Sequence, residues 1–125
     1  MLGVVTAHHY SAAHDSPLNK EFVAAYEKAN GRRPTFHSVG GYDAMHLIMA
    51  ALEKTGGNTN GDALIAAMKG MRWESPRGPI SIDPDTRDVV HNEYIRKVEK
   101  VNGEMYNVEF ATIEAVKDPL HGPKK

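Results

Sequence analysis

Apolar residues recur at helical spacing through the first half of the chain, and two-residue alternation takes over after Trp73. Leu18, Phe22, Ala25, Tyr26 and Ala29 share one helical face, opened by Ser16-Pro17 as N-cap and first helical residue and closed by Asn30-Gly31. Gly40-Gly41 precedes a second predicted helix, Tyr42–Lys54, ended by Gly56-Gly57. Met45, Ile48, Met49 and Leu52 form its principal face, and Ala44, Leu47 and Ala51 widen it, so cover is expected on most sides. A third helix is predicted over Asp62–Lys69, with Thr59 or Asn60 near its cap and Gly70 at its end. Leu2–Thr6 is apolar and β-branched, which predicts a buried strand. From Trp73 to Glu109 the pattern reads strand, turn, strand, turn, strand. Ile80 and Ile82 alternate with polar neighbours, and Pro84-Asp85 signals a turn. Asn102-Gly103 signals a tight hairpin because both residues tolerate positive φ. Tyr106, Val108 and Phe110 then alternate with Asn107 and Glu109, as on a half-buried strand. Residues 115–125, with two Pro and two Lys near their end, read as a loose tail.

The resulting order, β-α-α-α-β-β-β, is not a simple alternating βαβ series. It predicts an α/β architecture of three helices plus several strands, cut from something larger. The start, MLGVVTAHHY, reads as an interior strand and lacks the basic region and apolar length of a secretory leader. Composition narrows function mainly by exclusion. A net charge of −1 offers no basic field for nucleic acid, so no nucleic-acid partner is expected. The absence of Cys removes disulfides, zinc–thiolate sites and Cys nucleophiles.

Chemistry concentrates in two segments. His8-His9-Tyr10-Ser11 follows the first strand, where open α/β sheets place ligands. Tyr10 offers an aromatic wall and a hydroxyl, and Ser11 a donor and an acceptor; an ordinary polar loop is the competing reading. Ser38-Val39-Gly40-Gly41-Tyr42-Asp43 puts two glycines before a helix, which permits close backbone approach and an anion at the helix N-terminus. A tight turn with no ligand is the competing reading there. His8, His9 and His14 match no zinc spacing, and no metal or cofactor is expected. Asp83, Asp85, Asp88 and Glu93 miss the calcium-loop pattern and read as a solvated turn. Trp73 reads as a packing anchor. No nucleophile elbow, phosphate loop or dinucleotide fingerprint is present, so no enzymatic activity is expected.

Ser75-Pro76-Arg77-Gly78-Pro79-Ile80-Ser81-Ile82-Asp83, Tyr94-Ile95-Arg96-Lys97-Val98-Glu99, Tyr106-Asn107-Val108 and the closing Ala115-Val116-Lys117-Asp118-Pro119 carry a family resemblance. They resemble the C-terminal part of substrate-binding proteins of ABC importers, in the branched-chain amino-acid (Leu/Ile/Val-binding) family. The resemblance runs from about Leu2 to Pro119. It implies part of a type I periplasmic-binding-protein fold, with residues 1–33 from the second lobe, residues 39–71 from the first, and residues 73–113 as terminal strands. It implies capture of a small-molecule solute by hinge closure, delivery to the membrane subunits of an ABC importer, and a periplasmic location for the full-length family member. It also implies that His9, Tyr10, Ser11, Val39, Gly40, Gly41 and Tyr42 border the interlobe cleft. The family's main contacts to an α-amino and α-carboxylate group come from segments upstream of Met1, so the solute stays open among amino, aromatic and fatty acids. The competing reading is a truncated interaction or structural module that binds no solute and associates into a homo-oligomer.

Overall fold

The computed structural model describes residues 1–120. In chain order the elements are β1 (Val5–His8), α1 (Pro17–Asn30), α2 (Phe36–Lys54), α3 (Gly61–Met68), β2 (Arg72–Ser75), β3 (Gly78–Ile82), β4 (Val89–Val101) and β5 (Glu104–Val116). The expected mixture of three helices and several strands is therefore present, as a five-stranded sheet with helices.

The sheet is built around β4, thirteen residues long. β5 runs antiparallel to it from His91 to Val101. β3 pairs with β4 over His91, Val90 and Val89, and β1 pairs with it from Tyr94 to Lys97. β2 extends the sheet beyond β3. All these ladders are antiparallel, so the strand-end rule drawn from parallel α/β sheets does not transfer directly to this sheet.

Local chemistry sets the helices. Ser16 is extended at φ −138°, its side chain accepts from the Asn19 N–H at 3.1 Å, and Pro17 opens α1. Gly31, at φ 66°, closes it in the left-handed region and donates to Glu27 O at 2.8 Å. α3 is capped by Asn60, whose Oδ1 accepts from Ala63 N–H at 3.2 Å. Asn102 and Gly103 turn β4 into β5 with φ of 51° and 91°, the pair of positive values a tight hairpin needs.

Four expectations need correction. α2 starts at Phe36, so Gly40 and Gly41 lie inside the helix and make no turn. Extended Thr35 begins it, with Thr35 N–H donating to Ser38 Oγ at 3.1 Å. The first strand is Val5–His8, since Gly3 takes φ 83° and breaks the run before it; Leu2, Val4 and Val5 are exposed. The terminal strands number four, because Arg72–Ser75 folds back on Gly78–Ile82 through Pro76-Arg77. Gly78 makes that hairpin possible: at φ 94°, an added Cβ would clash with Tyr94 Oη. Lastly, the expected tail begins in β5, which continues to Val116; its residues 121–125 lie outside the described residues.

The buried apolar core is small. It comprises Tyr10, Val39, Ala51, Ala67, Ile80, Ile82 and Tyr94. A polar lock holds α2 to the β2–β3 hairpin: Arg77 Nε donates to Asp43 Oδ2 at 2.8 Å, with both side chains buried. Trp73 Nε1 donates to the other Asp43 oxygen at 3.4 Å, and the indole stacks on His46.

Candidate functional site

The segment between β1 and α1 is held from both sides. Asn19, on the first turn of α1 and 1% exposed, accepts from Tyr10 Oη at 3.1 Å. Its Nδ2 donates to the carbonyls of Ala12 and His14 at 3.2 and 2.9 Å. On the sheet side, Ser11 Oγ donates to Asn107 O at 2.6 Å, and His14 Nδ1 lies 2.7 Å from Glu109 Oε2. A buried amide that uses acceptor and donors together fixes a loop far better than loop propensity could.

This held loop, the 33–36 connector and the start of β5 enclose an open cleft of about 590 Å³. Tyr10, Tyr106, Phe36 and His8 supply aromatic surface, Ser11, Thr35 and Asn107 neutral polar groups, and Arg33 and Arg96 guanidinium groups. Among the described residues, no Asp or Glu lines it. Arg33 lies over the Tyr106 ring at 4.1 Å and donates to Met105 O at 3.0 Å. Arg96, 8% exposed, donates from Nη1 to Tyr10 O, while its Nε has no partner; His8 Nδ1 is likewise buried without one.

An aromatic cluster adjoins the cleft through His8 and Phe36. The His8 ring lies 4.3 Å from that of His9 and 4.9 Å from Phe36, and His9 meets His91 edge-on at 5.4 Å. Burial, then the neighbouring Arg77 and the other imidazoles, lowers the His9 pKa to about 4. Burial is also the leading cause that lowers His8 and raises the Tyr10 phenol. Both imidazoles are therefore neutral near pH 7.

The anticipated residues separate in space. Tyr10 and Ser11 line the cleft; His9 does not, but its ring lies beside those of His8 and Phe36, which do. Val39 is fully buried beneath the start of α2. Gly40 and Gly41 are exposed on α2, and a Cβ at either would meet nothing within 4 Å. Tyr42 lies 5.2 Å from the Phe22 ring and lines a separate groove between α1 and α2. Arg33, Phe36, Arg96, Tyr106 and Asn107 were not anticipated. For Arg96 the available signal was alternation, since it falls two residues after Tyr94 on β4 and therefore on the same sheet face.

Asp83 is not the solvated turn residue expected. It is buried, its Oδ1 accepts from the Asp85 and Thr86 N–H groups, and Lys117 Nζ lies 2.8 Å from Oδ2. Among the described residues, no group of three or more His, Asp or Glu is placed to hold a metal ion. No helix among them is long and apolar enough to cross a membrane.

A family model described as periplasmic binding protein matches residues 1–104. The Leu/Ile/Val-binding protein homolog 6 of Brucella abortus (strain 2308) is 47% identical over 121 residues, covering 94% of this chain and 31% of that protein. A solute binding protein of an ABC transporter from Rhodopseudomonas palustris BisB5, solved in complex with 3,4-dihydroxy benzoic acid, is 73% identical with a TM-score of 0.93. That match covers 94% of this chain and 32% of the other. A second, from Rhodopseudomonas palustris HaA2 in complex with p-hydroxybenzoic acid, is 44% identical with a TM-score of 0.91, covering 98% and 34%. The chain thus spans about a third of the length of the relatives it matches.

Proposed function

This chain belongs to the periplasmic binding protein family, and on that footing we propose that it serves an ABC importer by capturing a small aromatic carboxylic acid. The observation that carries this reading is the lining of the cleft: aromatic rings, two guanidinium groups and no carboxylate. Aromatic walls suit a flat ring, and a cationic cleft without acids suits its negative charge. The similar Rhodopseudomonas palustris proteins, solved with hydroxylated benzoic acids, support the same reading.

The solute is held and released unchanged, without chemistry. In the full-length protein, closure of two lobes about a hinge completes the site. Residues 1–33 and 73–113 then belong to one lobe and residues 39–71 to the other. His9, Tyr10 and Ser11 approach the solute from the first of these, and the exposed Gly40 and Gly41 of α2 from the second. The partners are the importer's membrane subunits, and the location is the periplasm. A second reading follows the name of the Brucella relative, with leucine, isoleucine or valine as the solute.

Calorimetric titration of the natural full-length polypeptide with 3,4-dihydroxybenzoate, 4-hydroxybenzoate and leucine separates the two. Binding of the benzoates with recovery of unaltered ligand is the expected result. Binding of leucine alone would replace the aromatic reading with the amino-acid one. Binding of none of the three would favour an interaction module.

A further inference from the structure

We propose that Arg96 is the residue that recognises the carboxylate of the solute, with His8 as a neutral second donor. The inference rests on the solute-binding reading above and assigns the charge recognition within that site.

A guanidinium carries five N–H donors in a rigid fork. Arg96 commits one observed hydrogen bond, to the Tyr10 carbonyl, and its Nε has no partner. The residue is 8% exposed and its Nε is buried, so water does not serve that donor. Among the described residues no Asp or Glu oxygen comes within ion-pair distance of it. The acid opposite Arg96 on β5 is Glu109, and His14 holds that carboxylate at 2.7 Å. Glu109 and Glu93 act on Arg96 only from beyond ion-pair distance, so a buried donor of its fork is left for an anion that enters the cleft.

The placement of Arg96 favours the solute as that anion. It lines the cleft beside the Phe36 and Tyr106 rings. His8 lines the same cleft and carries a second buried nitrogen without a partner. Both project from one sheet face, because His8 sits opposite Tyr94 and Thr6 opposite Arg96 in the β1–β4 ladder. Arg33 is the other cation there, but it already covers the Tyr106 ring and bonds the Met105 carbonyl. It is half-buried and also lies 3.9 Å from Glu104 Oε2, so its charge is already partly met. A fork held by the Tyr10 carbonyl is oriented before ligand arrives, and a planar carboxylate is the anion that matches it.

The test is calorimetry on the natural full-length polypeptide, comparing 4-hydroxybenzoate with its neutral isostere 4-hydroxybenzamide. The wild type should prefer the benzoate by about a hundredfold, as expected where a site is built for a charged group. Arg96→Met should abolish that preference while leaving benzamide affinity within about threefold, a split that a general packing defect would not produce. If Arg96→Met does not fold, Arg96→Lys carries the test. It keeps the charge without the fork, and should bind benzoate about tenfold more weakly at an unchanged unfolding midpoint. A preserved benzoate preference in Arg96→Met, or full affinity in Arg96→Lys, overturns the assignment. Should the wild type bind leucine and no benzoate, the aromatic reading falls separately. Leucine then serves as titrant, with loss in the variants supporting Arg96 and no loss overturning it. A wild type that binds neither overturns both.

Discussion

His9 concentrates the electrostatic character of the site in one imidazole. Its neighbours are His8, His91, Phe36 and Arg77, and none of them stabilises a protonated ring. In the unfolded chain His9 takes a proton near 6.5, and in the folded chain only near about 4. Between those values the unfolded state binds more protons, so stability falls as pH drops through that window and is fully present above 6.5. Asp83 acts in the same direction but lower. Lys117 first, then the Asp85 and Thr86 amides, hold its carboxylate at about 2, so its contribution is lost only below 3.8. His9→Gln should therefore shrink the fall in urea midpoint between about pH 7.5 and about pH 4.5, and leave the drop at lower pH in place. An identical fall in wild type and variant would sink this account. The sequence pointed to the His9–Ser11 segment as chemically dense, but not to its bonds. Tyr10 finds Asn19 nine residues on, and Ser11 finds Asn107 ninety-six residues on. Arg96 was harder to single out, because a charged residue alternating on a strand looks like a solvent-facing one until the opposite face is seen to be open.

At the scale of elements, legibility followed the strength of local signals. Ser16-Pro17, Asn60 and Asn102-Gly103 each fix backbone geometry through their own atoms, and each boundary stood. Gly40-Gly41 misled because glycine lowers helix propensity without forbidding a helix, at about 1 kcal/mol each. The Thr35–Ser38 cap and the burial of Val39, Asp43 and Ala51 outweigh that cost. β2 escaped notice because Arg72–Ser75 is only four residues and its pairing depends on the Gly78 turn against Tyr94. The joint between α2 and that hairpin is the Asp43–Arg77 pair, with side chains 7% and 9% exposed. Breaking one partner leaves an uncompensated buried charge, so Asp43→Ala should cost about 3–5 kcal/mol. Thermal melts of the chain would read the loss, which is a large share of a small domain's stability. Replacing both partners, as Asp43→Ala with Arg77→Met, should recover part of it. A single-variant loss under about 1 kcal/mol would mean that packing alone holds the hairpin to α2.

For the whole molecule, the question is what covers the apolar surface that these elements leave open. Along α2, Met45 is 56% exposed, Met49 60% and Ile48 39%, where the sequence pattern required cover on most sides. On β5, Phe110 and Ile113 are 60% and 54% exposed, although alternation marked Phe110 as half-buried. Periodicity reads which residues share a face, but it cannot say whether the partner surface lies within the same 125 residues. Among the described residues the apolar core, Tyr10, Val39, Ala51, Ala67, Ile80, Ile82 and Tyr94, is correspondingly slight for a chain of this length. The relatives are about three times longer, and we take these two faces to be those that the remainder of such a protein covers. Alone, the 125-residue chain should bury them against a second copy, since contiguous exposed apolar faces drive association. Sedimentation equilibrium at micromolar concentration should then give at least a dimer mass, with an unfolding midpoint that rises with protein concentration. Met45→Lys with Met49→Lys should shift the mass toward the monomer, because both positions are exposed and their replacement leaves the core untouched. A wild-type monomer with a cooperative, concentration-independent transition would refute this, and would mean that these buried apolar side chains and the polar locks around Asn19 and Asp43 suffice to hold the fold.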